Sequence, residues 1–338
     1  MRAAELVERV KYKDVFLYSL IFVSALPALV SLLNFEIFDR SIYSLVAFFS
    51  IIAFLGGTHV WITLAYYFDK RWFARFSQDP MIFFLCPAAI LLASTLIVVL
   101  SPTALGASFV YLAAIANLWH HGKQNWGILS LLGKNRGVDV RPIQVPVIYA
   151  WPFFALPLIL FFPHLTSFVE SDAVRTAAYA SAAGYIAFAA WTALPRLSSL
   201  WRRDRIIFLF TLAVLCYFLP LALLFGKPYA LLFFGGAHAL QYYLLVLVSI
   251  SLRSRQTVTS GSIVKALCVG LILVAAATAL GATLSQNWGD PKLWDNIIVR
   301  AVVGFTTGVS LVHFWIDAFI WKFSDKEIRE LHGQAFVF

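Results

Sequence analysis

Charge is what this chain lacks most. Lys, Arg, Asp and Glu make up 13% of its 338 residues, against about 25% in an ordinary soluble domain. With 61% apolar residues and a mean hydropathy of +0.82, that shortage excludes an ordinary soluble enzyme. Cysteine is scarce as well. Cys86, Cys216 and Cys268 are odd in number and fall inside apolar stretches, so they offer neither a disulfide framework nor a CxxC metal motif. A Walker loop, a G-x-S-x-G elbow and an H-E-x-x-H helix are missing too, which removes the common nucleotide-binding, serine-hydrolase and zinc-protease routes. So are the HxxxH and HxxHH clusters of membrane fatty-acid desaturases and hydroxylases, and eight-histidine di-iron chemistry is not expected.

What the chain has in quantity is apolar runs of about 20 residues, the length that crosses a bilayer as a helix. The expectation is an all-α, polytopic integral membrane bundle forming one domain over residues 1–338. Ten spans are placed at 15–34, 42–68, 81–100, 103–122, 146–164, 173–194, 206–226, 229–251, 262–285 and 297–321. The opening MRAAELVERVKYKDVF lacks the features of a signal peptide, so residues 1–14 read as an interfacial cytoplasmic segment. Alternate joints between the spans carry 21 of the 26 Lys and Arg. By the positive-inside rule this puts both termini in the cytoplasm, with a bacterial inner membrane as the expected location.

The net charge of +9 therefore reads as topology and headgroup contact rather than nucleic-acid binding. The partner it implies is the lipid bilayer. Trp72, Trp201 and Trp321 at one face and Trp288 and Trp294 at the other fit interfacial belts. Prolines 27, 87, 152, 157 and 220 fall within spans, where they kink helices and neighbouring groups satisfy the freed carbonyls.

Against this background four histidine positions stand out: His59, one of the adjacent pair His120 and His121, His238, and His313. An ionisable side chain in hydrocarbon costs at least a few kcal/mol by insertion scales and marks a functional site by default. All four spans run from outside to inside. His59 lies eleven residues before Lys70 and His313 nine before Lys322, which at about 1.5 Å per residue puts both about 14–17 Å from the cytoplasmic edge. His238 lies somewhat deeper. His120 and His121 reach a comparable depth only if their helix continues through GILSLL to Gly133.

Each histidine also has a polar companion at helical spacing. His313 has Asp317, His238 has Gln241 and Tyr242, the 120–121 pair has Gln124 and Asn125, and His59 has Thr63 and Tyr66. Asp317 reads as a metal ligand or as the group that orients one, and Gln124 and Tyr242 as candidate catalytic partners. Asp69 reads as an interfacial charge paired with Lys70 or Arg71, and His164 and His332 as solvated.

A lone intramembrane histidine often does no more than bridge two helices. Four on spans of the same direction point instead to one shared site, and imidazole is the commonest metal ligand. Imidazoles with one carboxylate and little sulphur suit non-haem iron, copper or zinc. The lipid setting favours iron and dioxygen acting on a lipophilic isoprenoid or acyl substrate, with an electron donor as a further partner. Two other readings stay open: a transporter or proton relay built on the same histidines, and a bis-histidine haem protein of electron transfer. The relay draws on an internal echo between FLGGTHVWITLAYYF (54–68) and FFGGAHALQYYLLV (233–246). That echo allows half-repeats over 15–164 and 206–322, as in transporters built from repeats, with the glycine pairs permitting close helix approach.

With GGTH at 56–59, LWHH at 118–121, GGAH at 235–238 and LVHFWID at 311–317, the chain resembles the Brp/Blh-type membrane carotenoid oxygenases. The resemblance covers the layout and His59, His238 and His313 in type, and the family's Gly-Leu-Pro-His-Gly-type signature is absent here. It implies iron held by histidines from separate helices and oxidative cleavage of a β-carotene-like substrate.

Overall fold

The computed structural model describes residues 15–29, 59–60, 63, 65–159, 172–223, 228–253, 294–322 and 325–332. The segment 1–14, the ninth span at 262–285, Cys268, His164 and the side chain of His332 lie outside the described residues. Among the described residues the chain is helical throughout. In order the helices are α1 (Val15–Leu29), α2 (Ala65–Phe68), α3 (Lys70–Gln78), α4 (Cys86–Leu100) and α5 (Thr103–Asn135). Then follow α6 (Gln144–Ile148), α7 (Trp151–Ile159), α8 (Asp172–Arg203), α9 (Arg205–Leu215) and α10 (Pro220–Leu223). The last three are α11 (Pro228–Arg253), α12 (Ile297–Ile320) and α13 (Lys326–His332).

Among the described residues three helical stretches, Met81–Leu100, Asp172–Arg203 and Ile297–Ile320, are long and apolar enough to cross a membrane. Their outer faces are apolar: Trp191 on α8 is 80% exposed, and Leu100 and Ile298 are also turned outwards. Contiguous apolar surface of this kind needs a cover.

Prolines in these helices leave carbonyls without a partner, and the fold supplies one. Pro87 cannot bond the Phe83 carbonyl. The helix opens there into a π turn over Met81–Leu85, and the Tyr67 hydroxyl donates to Phe83 O at 2.6 Å. Pro157 deprives the Phe153 carbonyl in the same way, and Ser181 Oγ on α8 donates to it at 2.6 Å.

Two expected spans are interrupted. The 146–164 run breaks at Tyr149–Ala150, between α6 and α7, and the 206–226 run breaks after Leu215 and restarts at Pro220. Proline at those restarts fits a first helical turn, where its missing N–H costs nothing. The Leu215 carbonyl freed at the second break accepts from the buried Tyr185 hydroxyl at 2.9 Å. Two spans are longer than expected. α8 runs past 194 through Pro195 to Arg203. α5 runs past 122 to Asn135, ending where Gly137 adopts φ +65° and Val138 N–H bonds Gly133 O at 2.8 Å. This is a Schellman stop, which needs a residue free to enter the left-handed region.

α4 and α12 pack antiparallel along their length. A Cβ on Gly304 would lie 2.8 Å from Thr95 Cα, and one on Gly308 3.1 Å from Leu91 Cα. Nearer the start of α12, Arg300 donates to Val98 O at 2.7 Å and to Ser101 O, satisfying carbonyls at the end of α4. At the other end, Trp315 Nε1 donates to Ile82 O at 2.8 Å. Close approach also occurs at Gly122, where a Cβ would stand 3.0 Å from Val147 O. It does not occur at Gly235, one of the paired glycines expected to permit it: a Cβ there meets nothing within 4 Å among the described residues.

α3 corrects two expectations. Trp72 is fully buried with Phe76 one turn on, against Tyr66 and Phe83, rather than lying at a lipid interface. Asp69 is buried and caps α3, accepting from Arg71 N at 3.0 Å and Trp72 N at 3.1 Å. Backbone amides at a helix start satisfy a carboxylate better than an exposed lysine. α13 docks onto this corner through buried Ile328 and an Arg75–Glu327 ion pair of 2.9 Å.

Candidate metal centre

The extension of α5 to Asn135 carries His120 and His121 into the bundle, where α11 and α12 present His238 and His313. The segment holding His59 and Thr63 closes the ring. All five imidazoles are buried. Ring centroids lie 4.9 Å apart for His59 and His238, 5.0 Å for His59 and His313, 5.1 Å for His120 and His238, and 5.3 Å for His120 and His313.

Two sets of ligand atoms emerge from this cluster. One atom each from His59, His238 and His313 lie within 4.8 Å of one another, and so do those of His120, His313 and Asp317. His313 belongs to both. Its Nε2 faces Asp317 Oδ2 at 3.5 Å, and His120 Nε2 faces the same oxygen at 3.8 Å. These groups can hold a metal ion.

The other side of each group is anchored. Thr63 Oγ1 lies 3.0 Å from His313 Nδ1 and 2.8 Å from the Tyr242 hydroxyl, which donates to Asp317 Oδ1 at 3.1 Å. One proton arrangement satisfies the whole chain. His313 Nδ1–H donates to Thr63, Thr63 donates to Tyr242, and Tyr242 donates to Asp317. In that tautomer His313 Nε2 keeps its lone pair, as a ligand must. Among the described residues His313 Nε2, His120 Nε2 and both nitrogens of His238 have no hydrogen-bond partner. A buried polar atom left unpaired costs about 1–3 kcal/mol, so several in one cluster favour a further group among them.

The pair left open by spacing is now distinguished by geometry. His120 is in a ligand set and stacks on Phe314 at 4.4 Å. His121 lies behind His238, ring on ring at 3.9 Å, and against Phe234 at 4.3 Å. Tyr242 is within the cluster, bonded to Asp317. Gln124 is not: it donates to Gln241 Oε1 at 3.3 Å and lines a neighbouring cavity.

Gln241, expected as the companion of His238, is fully buried and donates instead to Ser24 Oγ at 2.8 Å and Asn125 Oδ1 at 2.9 Å, tying α1, α5 and α11 together. Thr63, expected to accompany His59, serves His313. Ser24 and Phe314 went unnoticed in the sequence. A serine in an apolar run is a weak signal, and a phenylalanine there is none.

The cavity beside the cluster has a volume of about 370 Å³ and reaches His120 and Asp317 between α5, α11 and α12. Trp321, read from sequence as an interfacial residue, lines it and sits 5.7 Å from the Tyr242 ring.

Comparison with known proteins adds no name to this arrangement: no family model, curated protein or solved structure matches the chain.

The Tyr242 hydroxyl gives a direct test of the anchoring. Tyr242→Phe removes the link between Thr63 and Asp317 without changing the packing volume much. Loss of such an outer partner typically costs about 10–100-fold in metal affinity. That loss is expected from metal titration of the purified variant, together with a lowered unfolding temperature, since Asp317 Oδ1 and Thr63 each lose a buried partner.

Proposed function

We propose that the protein is a polytopic membrane metalloenzyme of about ten spans with cytoplasmic termini, using non-haem iron and dioxygen to oxidise a lipophilic substrate. The observation that carries this reading is the buried pair of overlapping ligand sets sharing His313. Three histidines with a carboxylate at hand, and no cysteine among them, match the donor set of non-haem iron better than that of a sulphur-rich site. Copper and zinc share part of that preference, so the metal's identity is the first thing to measure.

Iron bound there would supply the activation of dioxygen toward a C–H or C=C bond. His59, His238 and His313 would hold it from one side, and His120 and Asp317 from the side facing the cavity. Tyr242 and Thr63 fix the directions of Asp317 and His313. Phe314 packs on His120 and Phe234 and Tyr217 on His121, an apolar lining that would limit side reactions at the metal. Asp317, bonded at one oxygen by Tyr242, has its second oxygen toward His120 and the cavity. There it can orient a ligand or hold a proton for an approaching substrate.

Neighbouring rings of the cluster lie 3.9–6.3 Å apart, centroid to centroid, a crowding of several imidazoles that suits a bare ion better than a flat macrocycle. This weighs against the haem reading. The transporter or proton-relay reading draws on the interrupted helices, though neither break supplies a residue to the two ligand sets.

Elemental analysis of protein purified in detergent separates these readings. Near-stoichiometric iron without a Soret band is the expected result. A Soret band would establish haem instead, and metal-free protein that still moves protons or ions would establish the relay.

A further inference from the structure

The cavity against His120 and Asp317 opens sideways between α5 and α12. Its rim carries four exposed residues, Trp119, Lys123, Gly127 and Ala318, while His120 and Asp317 at its inner end are buried. Two of the rim residues are the smallest available, and a Cβ on Gly127 would meet nothing within 4 Å among the described residues. The gap between the helices at that level is therefore open rather than closed by packing. Along α5 the cavity follows His120, Gln124, Gly127 and Leu131, the 4-3-4 spacing of a single helical stripe. Eleven residues of helix span about 16 Å, so the space is elongated. A volume of about 370 Å³ is at the small end of the roughly 300–1,000 Å³ of small-ligand sites, which suits one chain better than two.

Beyond the inner end the walls are apolar apart from Gln124: Ile128, Leu131, Leu245, Phe314 and Trp321. Lys123 is the cation of this cavity. Its ammonium lies 5.5 Å from the Trp119 ring and has no acidic partner within 4 Å among the described residues. The acid of the cavity, Asp317, is engaged with Tyr242 and the histidines at the buried end. An exposed, unpaired cation at the rim of an apolar slot calls for an anion joined to an apolar chain.

We infer that this cleft binds a single-chain amphiphile with an anionic head, such as a fatty carboxylate, as the substrate class of the metal site proposed above, on which reading its catalytic meaning rests. The head pairs with Lys123 at the rim. Lys123 is three residues from His120, about 4.5 Å of helix rise, so it is the head end of the molecule that lies nearest His120 and Asp317. The remainder of the chain lies along Ile128, Leu131 and Leu245. Entry is lateral, between Gly127 and Ala318.

The test is binding of palmitate, palmitate methyl ester and hexadecylamine to the full-length protein in a non-ionic detergent, with metal content measured on the same samples. Wild type is expected to prefer palmitate to its methyl ester by tenfold or more. Lys123→Glu should weaken palmitate at least tenfold, leave the ester unchanged and strengthen the amine. Gly127→Phe, which fills the gap without displacing packed atoms, should abolish binding of all three while the metal stays. Equal binding of palmitate and ester in wild type, or undiminished binding in Gly127→Phe, would overturn the inference. So would displacement of palmitate by dilute phosphatidylglycerol vesicles in a Lys123-dependent way with no competition from other fatty acids, since the lysine would then serve the lipid surface. Lys123-dependent palmitate binding by metal-free wild type would sink the metal reading and leave the cleft standing. Metal without palmitate binding would do the reverse.

Discussion

His313→Ala is expected to lose essentially all bound metal, whereas His121→Ala keeps it. His313 contributes to both ligand sets, with Nε2 turned to Asp317 and Nδ1 held by Thr63. Its removal deletes a donor and also releases Thr63, and with it the hydrogen bond that orients Tyr242. The effect should exceed the roughly 10–100-fold that loss of an outer partner costs alone. His121 is as deeply buried and belongs to the same conspicuous pair as His120, yet it packs behind His238 and joins neither set. Its truncation leaves a cavity that costs stability while the donors remain. Metal content and thermal unfolding measured together on both variants separate the two outcomes. Equal metal loss in both would mean that histidine burial alone, rather than membership of a ligand set, decides affinity.

The second large effect concerns the helix pair that sets the height of His313. Gly304→Ala is expected to destabilise the protein, although alanine is the better helix former by about 1 kcal/mol. A methyl group at this position would lie 2.8 Å from Thr95 Cα and 3.0 Å from the Ser94 carbonyl. Both are backbone atoms of a packed helix, so neither can swing aside, and overpacking of this kind costs about 1–3 kcal/mol. Separation of α4 and α12 would also shift the helix that carries His313 and Asp317, so metal affinity should fall with stability. Gly127→Ala is the control of opposite sign. With nothing within 4 Å of its Cβ among the described residues, it should be neutral or raise the unfolding temperature. Melting curves of the two variants in detergent read the contrast. Matching curves would show that α4 and α12 do not depend on this contact.

The histidines could be picked out in the sequence because a titratable ring in an apolar run has few neutral explanations, and their common direction and depth pointed to one place. The end of α5 was legible only in part: hydropathy ends the span at 122, continuation through GILSLL to Gly133 enters only as a condition on the depth of His120, and the stop at Gly137 went unread. The rotation of each helix about its axis was not legible. It is set by close contacts such as Gly304 on Thr95 and Gly122 on Val147, which no periodicity reveals. This is why Thr63 turned out to serve His313 rather than His59, and why Gln241 reaches Ser24 and Asn125 rather than His238. Hydropathy also missed the breaks at Tyr149–Ala150 and after Leu215, since an interrupted apolar run averages like a continuous one. Pro152 and Pro220 stand in the first turns of the helices that restart after those breaks.

The central claim is that His59, His238 and His313 share a metal ion. Anomalous diffraction at the iron edge from crystals of the purified protein tests it most directly. One strong peak is expected within bonding distance of nitrogens from all three, beside His120 and Asp317, and it should disappear in His313→Ala. A peak elsewhere in the bundle, or none in protein shown to be active, would contradict it.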